Sequence, residues 1–269
     1  MPPFPDVESQ NTCSTLAGER LLILGDSLSG HFSNTLVSLA NVTQRPTRPV
    51  KILCESNPHV APAGQVGCWA VEADCGRGSS VLVAFVRTDH LNLSLTARRW
   101  RSYPVNVLEH PVGAVFDSFR PTLILLNRGA HYAPDVEYVQ GWEAALAYIA
   151  RVAPSARVIV RNTPAGHVGC ANATGPLTKP AVHALPHSWG NFSRQNALLR
   201  TLAVAHGVAY LDFATPTLLR PDMHMNARDC FHYQAYKKDA GNPMVTWVRL
   251  FVGAVRLMAG QRHEEEGPA

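Results

Sequence analysis

Short apolar runs alternate along this chain with longer segments of helical periodicity, and this alternation limits the possible folds more than any other feature. Apolar runs bounded by polar residues indicate strands that are buried on both faces of a sheet. The predicted strands are 20–25, 50–53, 81–86, 122–126, 157–160 and 208–211, and the predicted helices are 28–40, 136–152, 189–206 and 243–258. Strands and helices in this order favour an α/β fold, a three-layer α/β/α sandwich with a mostly parallel sheet.

This interpretation assigns the whole chain, residues 1–269, to a single domain. The segments 54–78 and 162–187 have no clear period and are predicted to be long loops, and the ends at 1–18 and 260–269 are predicted to be flexible tails. Hydrophobic residues make up 46% of the chain and charged residues 16%, which provides enough apolar surface for a large core.

The charge and hydropathy patterns argue against nucleic-acid binding and against a membrane segment within this chain. The formal net charge of +4 is spread along the chain and forms no dense Lys/Arg stripe, so we expect no nucleic-acid partner. No run of 18 apolar residues occurs, so we expect no membrane segment within this chain. The sequence leaves the oligomeric state open.

Cysteines and N-x-S/T sequons point to the secretory pathway or the cell exterior. The cysteines are Cys13, Cys54, Cys68, Cys75, Cys170 and Cys230, and the sequons begin at Asn41, Asn92, Asn172 and Asn191. An even number of cysteines without a C-x-x-C pair fits disulfides, which persist in oxidising compartments; buried thiols and chance sequons are the alternative. Residues 1–19 lack the basic start and apolar stretch of a signal peptide, so a targeting segment is expected to be absent from this chain.

The segment Gly25-Asp26-Ser27-Leu28-Ser29 joins the first predicted strand to the first predicted helix. In open α/β sheets the active crevice lies at the carboxyl ends of the strands. A serine there lies at a helix N-terminus, whose N–H groups and dipole favour a developing anion. We therefore predict that Ser27 is a nucleophile whose own N–H contributes to an oxyanion hole. The alternative is that Asp26 or Ser27 only caps the helix.

A second motif, Asp229-Cys230-Phe231-His232, precedes the last predicted helix. A serine hydroxyl needs a base to take its proton, and an imidazole base needs a carboxylate to fix its tautomer. Because one turn can present both side chains together, we predict His232 as the base and Asp229 as its carboxylate. Asp222 and His224 are the competing pair, but a separation of one residue directs two side chains to opposite sides of an extended segment.

Further donors to the oxyanion are predicted at two places. Asn127 follows the strand at 122–126, and a side-chain amide at such a position is worth about 10²–10³ in rate. The alternative is that Asn127 belongs to a turn that ends the strand. The backbone N–H of Gly67, or of Gly64, is the other candidate donor.

Five segments, in the order given, carry a family resemblance. They are GDSLS at 25–29, LLNRGAHY at 125–132, VRNTPAGHVGC at 160–170, YLDFATPTLLRPDMH at 210–224 and DCFHY at 229–233. Together they resemble the PC-esterase and trichome-birefringence-like group of the GDSL/SGNH superfamily. The resemblance implies a triad of Ser27, Asp229 and His232 with oxyanion assistance from Asn127. It also implies an O-acetyltransferase or acetylesterase acting on hydroxyls of polysaccharides or glycans, in the Golgi lumen or outside the cell.

Departures from the group's pattern indicate a distant member. Gly30-His31 stands where the group commonly has Arg-Asn, and Arg128 and His131-Tyr132 alter the second segment. Gln234 occupies the position of a cysteine in the group's last loop, which leaves Cys170 as a candidate partner of Cys230.

The predicted reaction is a two-step acyl transfer through an acyl-serine intermediate. The acyl group passes from Ser27 to a sugar hydroxyl in a transferase, or to water in an esterase. No metal or organic cofactor is expected, and the acetyl donor would be a co-substrate of unknown identity. The alternatives are an inactive glycan-binding module, with tryptophans such as Trp69 and Trp189 stacking on sugars, and a small-ester or lipid hydrolase with reduced cysteines.

Overall fold

The computed structural model describes residues 5–40, 47–52, 67–76, 78–93, 101–102, 106–107, 112–131, 133–179, 189–226, 228–234 and 241–265. Its helices are α1 (Pro5–Leu16), α2 (Ser27–Ala40), α3 (Gly113–Phe119), α4 (Asp135–Val152), α5 (Phe192–Ala205) and α6 (Pro243–Glu265). Its strands are β1 (Arg20–Gly25), β2 (Arg48–Pro49), β3 (Cys68–Gly76), β4 (Ser79–Arg87), β5 (Arg101–Ser102), β6 (Asn106–Val107), β7 (Leu123–Leu126), β8 (Arg157–Arg161), β9 (Ala209–Leu211), β10 (His224–Asn226) and β11 (Asp229–Tyr233).

Seven of the described strands form one sheet in the order β2-β3-β4-β1-β7-β8-β9. Strands β4, β1, β7, β8 and β9 run parallel, and at one edge β3 pairs antiparallel with both β4 and β2. Helices α1, α2 and α6 cover one face, and α3, α4 and α5 cover the other. The predicted α/β/α sandwich with a mostly parallel sheet is therefore confirmed. Strands β10 and β11 pair with each other outside this sheet.

Strand β1 shows why the sheet needs helices on both faces. Leu21 and Ile23 pack in the core beneath α1, α2 and α6, while Leu22 and Leu24 pack in the opposite core. Successive side chains of a strand point to opposite faces, so an entirely apolar strand must be covered twice. Full burial of such a side chain contributes roughly 1.5–3 kcal/mol.

The carboxyl ends of the parallel strands meet along one edge of the sheet. Gly25 at the end of β1 is the register partner of Arg87 at the end of β4. The backbone N–H of Asn127, just after β7, donates to the carbonyl of Leu24 at 3.0 Å. Gly25 has no room for a side chain, because a Cβ there would lie 2.4 Å from Ser29 Oγ. The residues that follow β1, β4 and β7 are thus brought close together.

The N-terminal segment differs from the prediction of a flexible tail at 1–18. Residues 5–16 form α1, and Cys13 and Leu16 are buried in the core. A disulfide joins Cys13 to Cys75 in β3, with the two Cα atoms 5.3 Å apart. Tertiary contacts and this covalent link stabilise a helix whose own sequence is only weakly amphipathic. At the other end α6 continues to Glu265, into the predicted tail 260–269; residues 1–4 and 266–269 lie outside the described residues.

The predicted loop 54–78 contains the nine-residue strand β3, which pairs antiparallel with β4. Cys68 and Ala70 are buried, and Trp69 between them is half-buried, which is the alternation of a strand near the edge of a sheet. The cysteine and glycine content of the segment obscured this pattern. The strand predicted at 50–53 is found instead at Arg48–Pro49, and residues 53–66 lie outside the described residues.

One window within α6 has the length and composition of a membrane span. This window, Pro243–Gly260, is the one found among the described helices. Its mean hydropathy is 1.2, and 44% of it is buried inside the protein. Trp247 and Phe251 of this helix are fully buried and pack against Phe213 and Phe32 respectively. These contacts bury one side of the helix inside the protein.

Candidate active site

Ser27 is the first residue of α2 and follows Asp26 at the end of β1. The Asp26 carboxylate accepts hydrogen bonds from the backbone N–H groups of Leu28 at 3.0 Å and Ser29 at 3.3 Å. Asp26 therefore caps the helix, which was one of the two alternatives for this motif. The Ser27 hydroxyl has a different partner, and the N–H of Ser27 belongs to the first turn, whose donors have no acceptor within the helix.

The structure brings together the three residues predicted as a triad. Ser27 Oγ lies 2.7 Å from His232 Nε2, although the two residues are 205 positions apart in the chain. His232 Nδ1 lies 2.8 Å from Asp229 Oδ2 on the other side of the ring. A carboxylate only accepts, so Nδ1 carries the proton and Nε2 of the neutral ring accepts from the serine hydroxyl.

The carboxylate of Asp229 is held in its charged form. Burial disfavours the charge, but the hydrogen bonds from the backbone and ring N–H groups of His232 and from the backbone N–H of Phe231, together with the electrostatic effect of the adjacent ring, outweigh burial and lower the pKa of Asp229. The backbone N–H groups of His232 and Phe231 donate to Asp229 Oδ1 at 2.9 and 3.2 Å. Because Asp229 and His232 are three residues apart on β11, both the backbone N–H and the ring N–H of His232 can donate to the Asp229 carboxylate.

Strand β11 is tied to the loop that follows β8. A disulfide joins Cys230 to Cys170, with the Cα atoms 5.4 Å apart, which is the pairing that the family resemblance suggested. The backbone N–H of His167 donates to the carbonyl of Cys230 at 3.0 Å. The hydroxyl of Tyr233 donates to the carbonyl of Ala165 at 2.6 Å. These contacts fix the strand segment on which Asp229 and His232 lie.

A buried ion pair lies beneath the serine. Arg161, at the end of β8, has its Nη2 3.4 Å from Asp26 Oδ1 and 2.6 Å from Ser29 Oγ. Both charged side chains are completely buried. Burial lowers the pKa of Arg161 to about 10, against the opposing effect of Asp26. The guanidinium remains charged at neutral pH and binds the residues on either side of Ser27.

The competing pair, Asp222 and His224, does not form an acid–base couple. The Asp222 carboxylate pairs with Arg220 through two N–O contacts of 3.0 Å. The ring of His224 is buried and contacts His167 and the backbone of His232. Each side chain thus has other partners, and Asp222 lies in a short 3-10 helix, not in the extended segment that the prediction assumed.

The predicted oxyanion donors have different positions. The Asn127 side chain is completely buried, and its Nδ2 lies 3.5 Å from the carbonyl of Arg161. It is directed toward the end of β8, so its role as a direct oxyanion donor gains no support from this arrangement. Gly67 lies at the edge of the site, where its carbonyl accepts from the N–H of Arg87. Its role as a donor stays a prediction, and Gly64 lies outside the described residues.

His31 is a site residue that the sequence interpretation missed. Its ring centroid lies 5.2 Å from that of His232. Burial, and then the charge of His232, lower the pKa of His31, so it is neutral at neutral pH. The usable signal was its spacing, because residues four apart on a helix share a face and His31 follows Ser27 by four positions.

A second cluster that was missed lies beside the end of β1. Arg87 contacts both oxygens of Asp89, at 2.9 and 3.3 Å, and His131 Nε2 lies 3.3 Å from Asp89 Oδ2. The backbone N–H of Thr88 donates to the carbonyl of Gly25 at 2.9 Å, which places this cluster at the same edge as Ser27. Within the described residues, no group of three or more His, Cys, Asp or Glu side chains is arranged to hold a metal ion.

No protein-family model matches the sequence, and no curated protein sequence matches it. The solved structures that resemble the fold include the following three. A peptidoglycan O-acetylesterase shares 11% identity over 92% of this chain and 94% of its own, with a TM-score of 0.49. The periplasmic domain of a lipopolysaccharide acetyltransferase from Salmonella ser. Paratyphi A shares 10% identity over 86% and 83%, with a TM-score of 0.46. A GDSL-like lipase from Parabacteroides merdae shares 12% identity over 54% of this chain and 65% of its own length, with a TM-score of 0.38.

These are likenesses of fold alone. None of them bears on the PC-esterase subgroup, which stays a prediction. At 10–12% identity and TM-scores below 0.5, the chemistry has to rest on this chain's own residues. The parallel sheet and the Ser27–His232–Asp229 contacts at the ends of its strands have the form of the SGNH/GDSL class.

Proposed function

We propose that this chain is a serine-dependent O-acyltransferase or esterase that works through an acyl-serine intermediate at Ser27. One observation carries the proposal: Ser27 Oγ lies 2.7 Å from His232 Nε2, and Asp229 Oδ2 lies 2.8 Å from the opposite nitrogen of the same ring. Both distances are within the reach needed for proton transfer and for orienting a base. A binding module would not need a serine, an imidazole and a carboxylate in this alignment.

In the first step, Ser27 Oγ attacks the carbonyl carbon of an acyl donor while His232 Nε2 takes the hydroxyl proton. The carbonyl π electrons move to oxygen, and the N–H of Ser27 stabilises that oxyanion together with a second donor, for which Gly67 is the candidate. Collapse of the tetrahedral species breaks the bond to the leaving group. His232 returns its proton to that group, and Asp229 stabilises the transient imidazolium.

In the second step, His232 takes a proton from an acceptor hydroxyl as the acceptor oxygen attacks the acyl-serine. The Ser27 Oγ–acyl bond breaks, and Ser27 regains its proton from His232. With a sugar hydroxyl as acceptor the reaction is a transfer, and with water it is hydrolysis. His232 and Asp229 have side chains that are 24% and 26% exposed, which gives an acceptor access to the base.

The acyl group is proposed to be acetyl and the acceptor a glycan or polysaccharide hydroxyl, on the basis of the sequence motifs. An oxidising location, in the secretory pathway or outside the cell, is supported by the Cys13–Cys75 and Cys170–Cys230 disulfides. A hydrolase of a reducing compartment would not retain these bonds. The Golgi lumen stays a prediction.

The test is an acyl-transfer assay on the full chain. Hydrolysis of p-nitrophenyl acetate is measured first, and transfer of labelled acetyl groups to a panel of polysaccharides is measured second, with and without an added donor. We expect Ser27→Ala to reduce both activities by at least ~10³-fold. Ser38→Ala, on the same helix but exposed, is the control and should retain activity. Activity that survives Ser27→Ala would exclude Ser27 as the nucleophile, and polysaccharide binding without turnover would favour a binding module.

A further inference from the structure

A pair of buried histidines lies against the backbone of the candidate base. His167 and His224 are 5% and 4% exposed, and His167 Nδ1 lies 2.8 Å from His224 Nε2. His224 Nδ1 lies 3.2 Å from the backbone carbonyl of His232. At the other end of the pair, His167 Nε2 lies 3.1 Å from the carbonyl of Leu218. The two rings therefore connect the carbonyl of a neighbouring turn to that of His232.

We propose that His224 and His167 are positioning residues for His232: His224 holds the His232 backbone through its carbonyl, and His167 fixes the ring of His224. The inference rests on the proposed function, in which His232 must meet Ser27 Oγ. Strand β11 lies outside the seven-stranded sheet, so the position of His232 depends on β10 and on side-chain contacts from neighbouring loops. A displacement of about 1 Å in such a base can cost on the order of 10²-fold in rate.

The number of protons on the pair decides which contacts are hydrogen bonds. The two carbonyls only accept, so each outer contact needs an N–H, and the contact between the two rings needs a third proton. A neutral pair carries two protons. In one arrangement the bonds run from His167 to His224 to the His232 carbonyl. In the reverse arrangement they run from His224 to His167 to the Leu218 carbonyl, and the His232 carbonyl is released. In a third arrangement each ring donates to its own carbonyl, and the two rings share no proton.

Nearby charged groups influence which nitrogens of His167 and His224 carry protons. Asp222, which is paired with Arg220, favours a proton on His167, and Asp229 favours one on His224. Burial is the larger effect: it lowers the pKa of His167 and, with the charges of His167 and His232, lowers the pKa of His224 to about 4. The ring of Tyr233 also packs on His224, with centroids 4.4 Å apart. The pair is therefore neutral at neutral pH, and the direction of its hydrogen bonds decides whether His232 is held.

Amide side chains separate the two contacts of His224. The Nδ2 of asparagine takes the place of a histidine Nδ1, so His224→Asn keeps a donor for the His232 carbonyl and loses the contact with His167. The Nε2 of glutamine takes the place of a histidine Nε2, so His224→Gln keeps a partner for His167 and loses the donor to His232. Both substitutions replace a buried ring by an amide, so each controls for the effect of the other on folding.

The first measurement is steady-state hydrolysis of p-nitrophenyl acetate. We expect His224→Gln to lower kcat by about 10–100-fold with little change in KM, and His224→Asn to restore most of the lost kcat. Thermal unfolding of the two variants should occur at similar temperatures. Equal losses of kcat in the two variants, or no loss in either, would overturn the inference.

The second measurement does not depend on activity. The His232 ring is titrated by NMR in protein that carries Ser27→Ala, with and without each His224 substitution. We expect His224→Gln to move the midpoint of the His232 titration, because the ring shifts relative to Asp229, and His224→Asn to leave it near its original value. An unmoved midpoint in both variants refutes the positioning role. If wild type and Ser27→Ala are equally inactive, the proposed function fails, and the titration still decides the positioning role.

Discussion

Ser27 and His232 meet at 2.7 Å, yet the structure supports them in different ways. Ser27 follows β1, a central strand with helices on both faces, and the completely buried Asp26–Arg161 pair lies beside it. His232 lies on β11, in a two-stranded ladder outside the main sheet, with a partly exposed side chain. A disulfide and a set of polar contacts to the loop after β8 determine its place.

The positions of Ser27 and His232 therefore depend on different parts of the structure. The position of the serine follows from the global fold, so it should be lost only when the core is lost. The position of the base follows from a few local contacts, so it should be changed by substitutions that leave the core intact. Stability and activity should therefore respond separately to changes on the two sides of the site.

The largest expected effect is on activity, from a change on the histidine side. Asp229→Asn removes the carboxylate that fixes the His232 tautomer, so we expect kcat to fall by about 10³–10⁴-fold with little change in the free energy of unfolding. Asp222→Asn is the matched control, because Asp222 pairs with Arg220 and not with His232. Its loss of kcat should be far smaller. The reverse order of losses would transfer the catalytic assignment to the competing pair.

A change on the serine side should act on stability first. Arg161→Met leaves Asp26 buried without its cation, and breaking a buried pair in this way typically costs about 3–5 kcal/mol. Arg194→Met breaks the exposed pair with Asp135 and should cost no more than ~1 kcal/mol. Urea denaturation measures both. Equal costs for the two variants would contradict a serine supported by its buried ion pair.

The Cys13–Cys75 and Cys170–Cys230 disulfides give the finest comparison, because their cysteines are separated by nearly equal stretches of 62 and 60 residues. Replacing either pair by serines should lower the free energy of unfolding by about 2–4 kcal/mol. Only the loss of Cys170–Cys230 should also reduce kcat, by a few-fold, since Cys230 lies between Asp229 and His232. The measurement is kcat per folded molecule under conditions where both variants remain native. Equal kcat values in the two variants would show that β11 does not need this bond.

The order of apolar and amphipathic segments was enough to predict the sandwich and its central strands β1, β7 and β8. The contacts of His232 with Ser27 and Asp229 could also be predicted, because Ser27 follows a strand and Asp229 and His232 share one short segment. Helix α1 could not, since contacts and a disulfide made elsewhere in the chain stabilise it. The contacts of Arg87, Asp89 and His131 depend on the register between β4 and β1 and on residues after β7, which local spacing does not reveal.

The 205 positions between Ser27 and His232 have a consequence for the chain during its synthesis. The ribosome makes Ser27, the proposed nucleophile, 205 positions before His232, the proposed base. A nascent or truncated polypeptide therefore carries an ordinary serine with no imidazole to accept its proton. Under the proposed function, acyl transfer at Ser27 would therefore require translation at least through β11 and the docking of that strand.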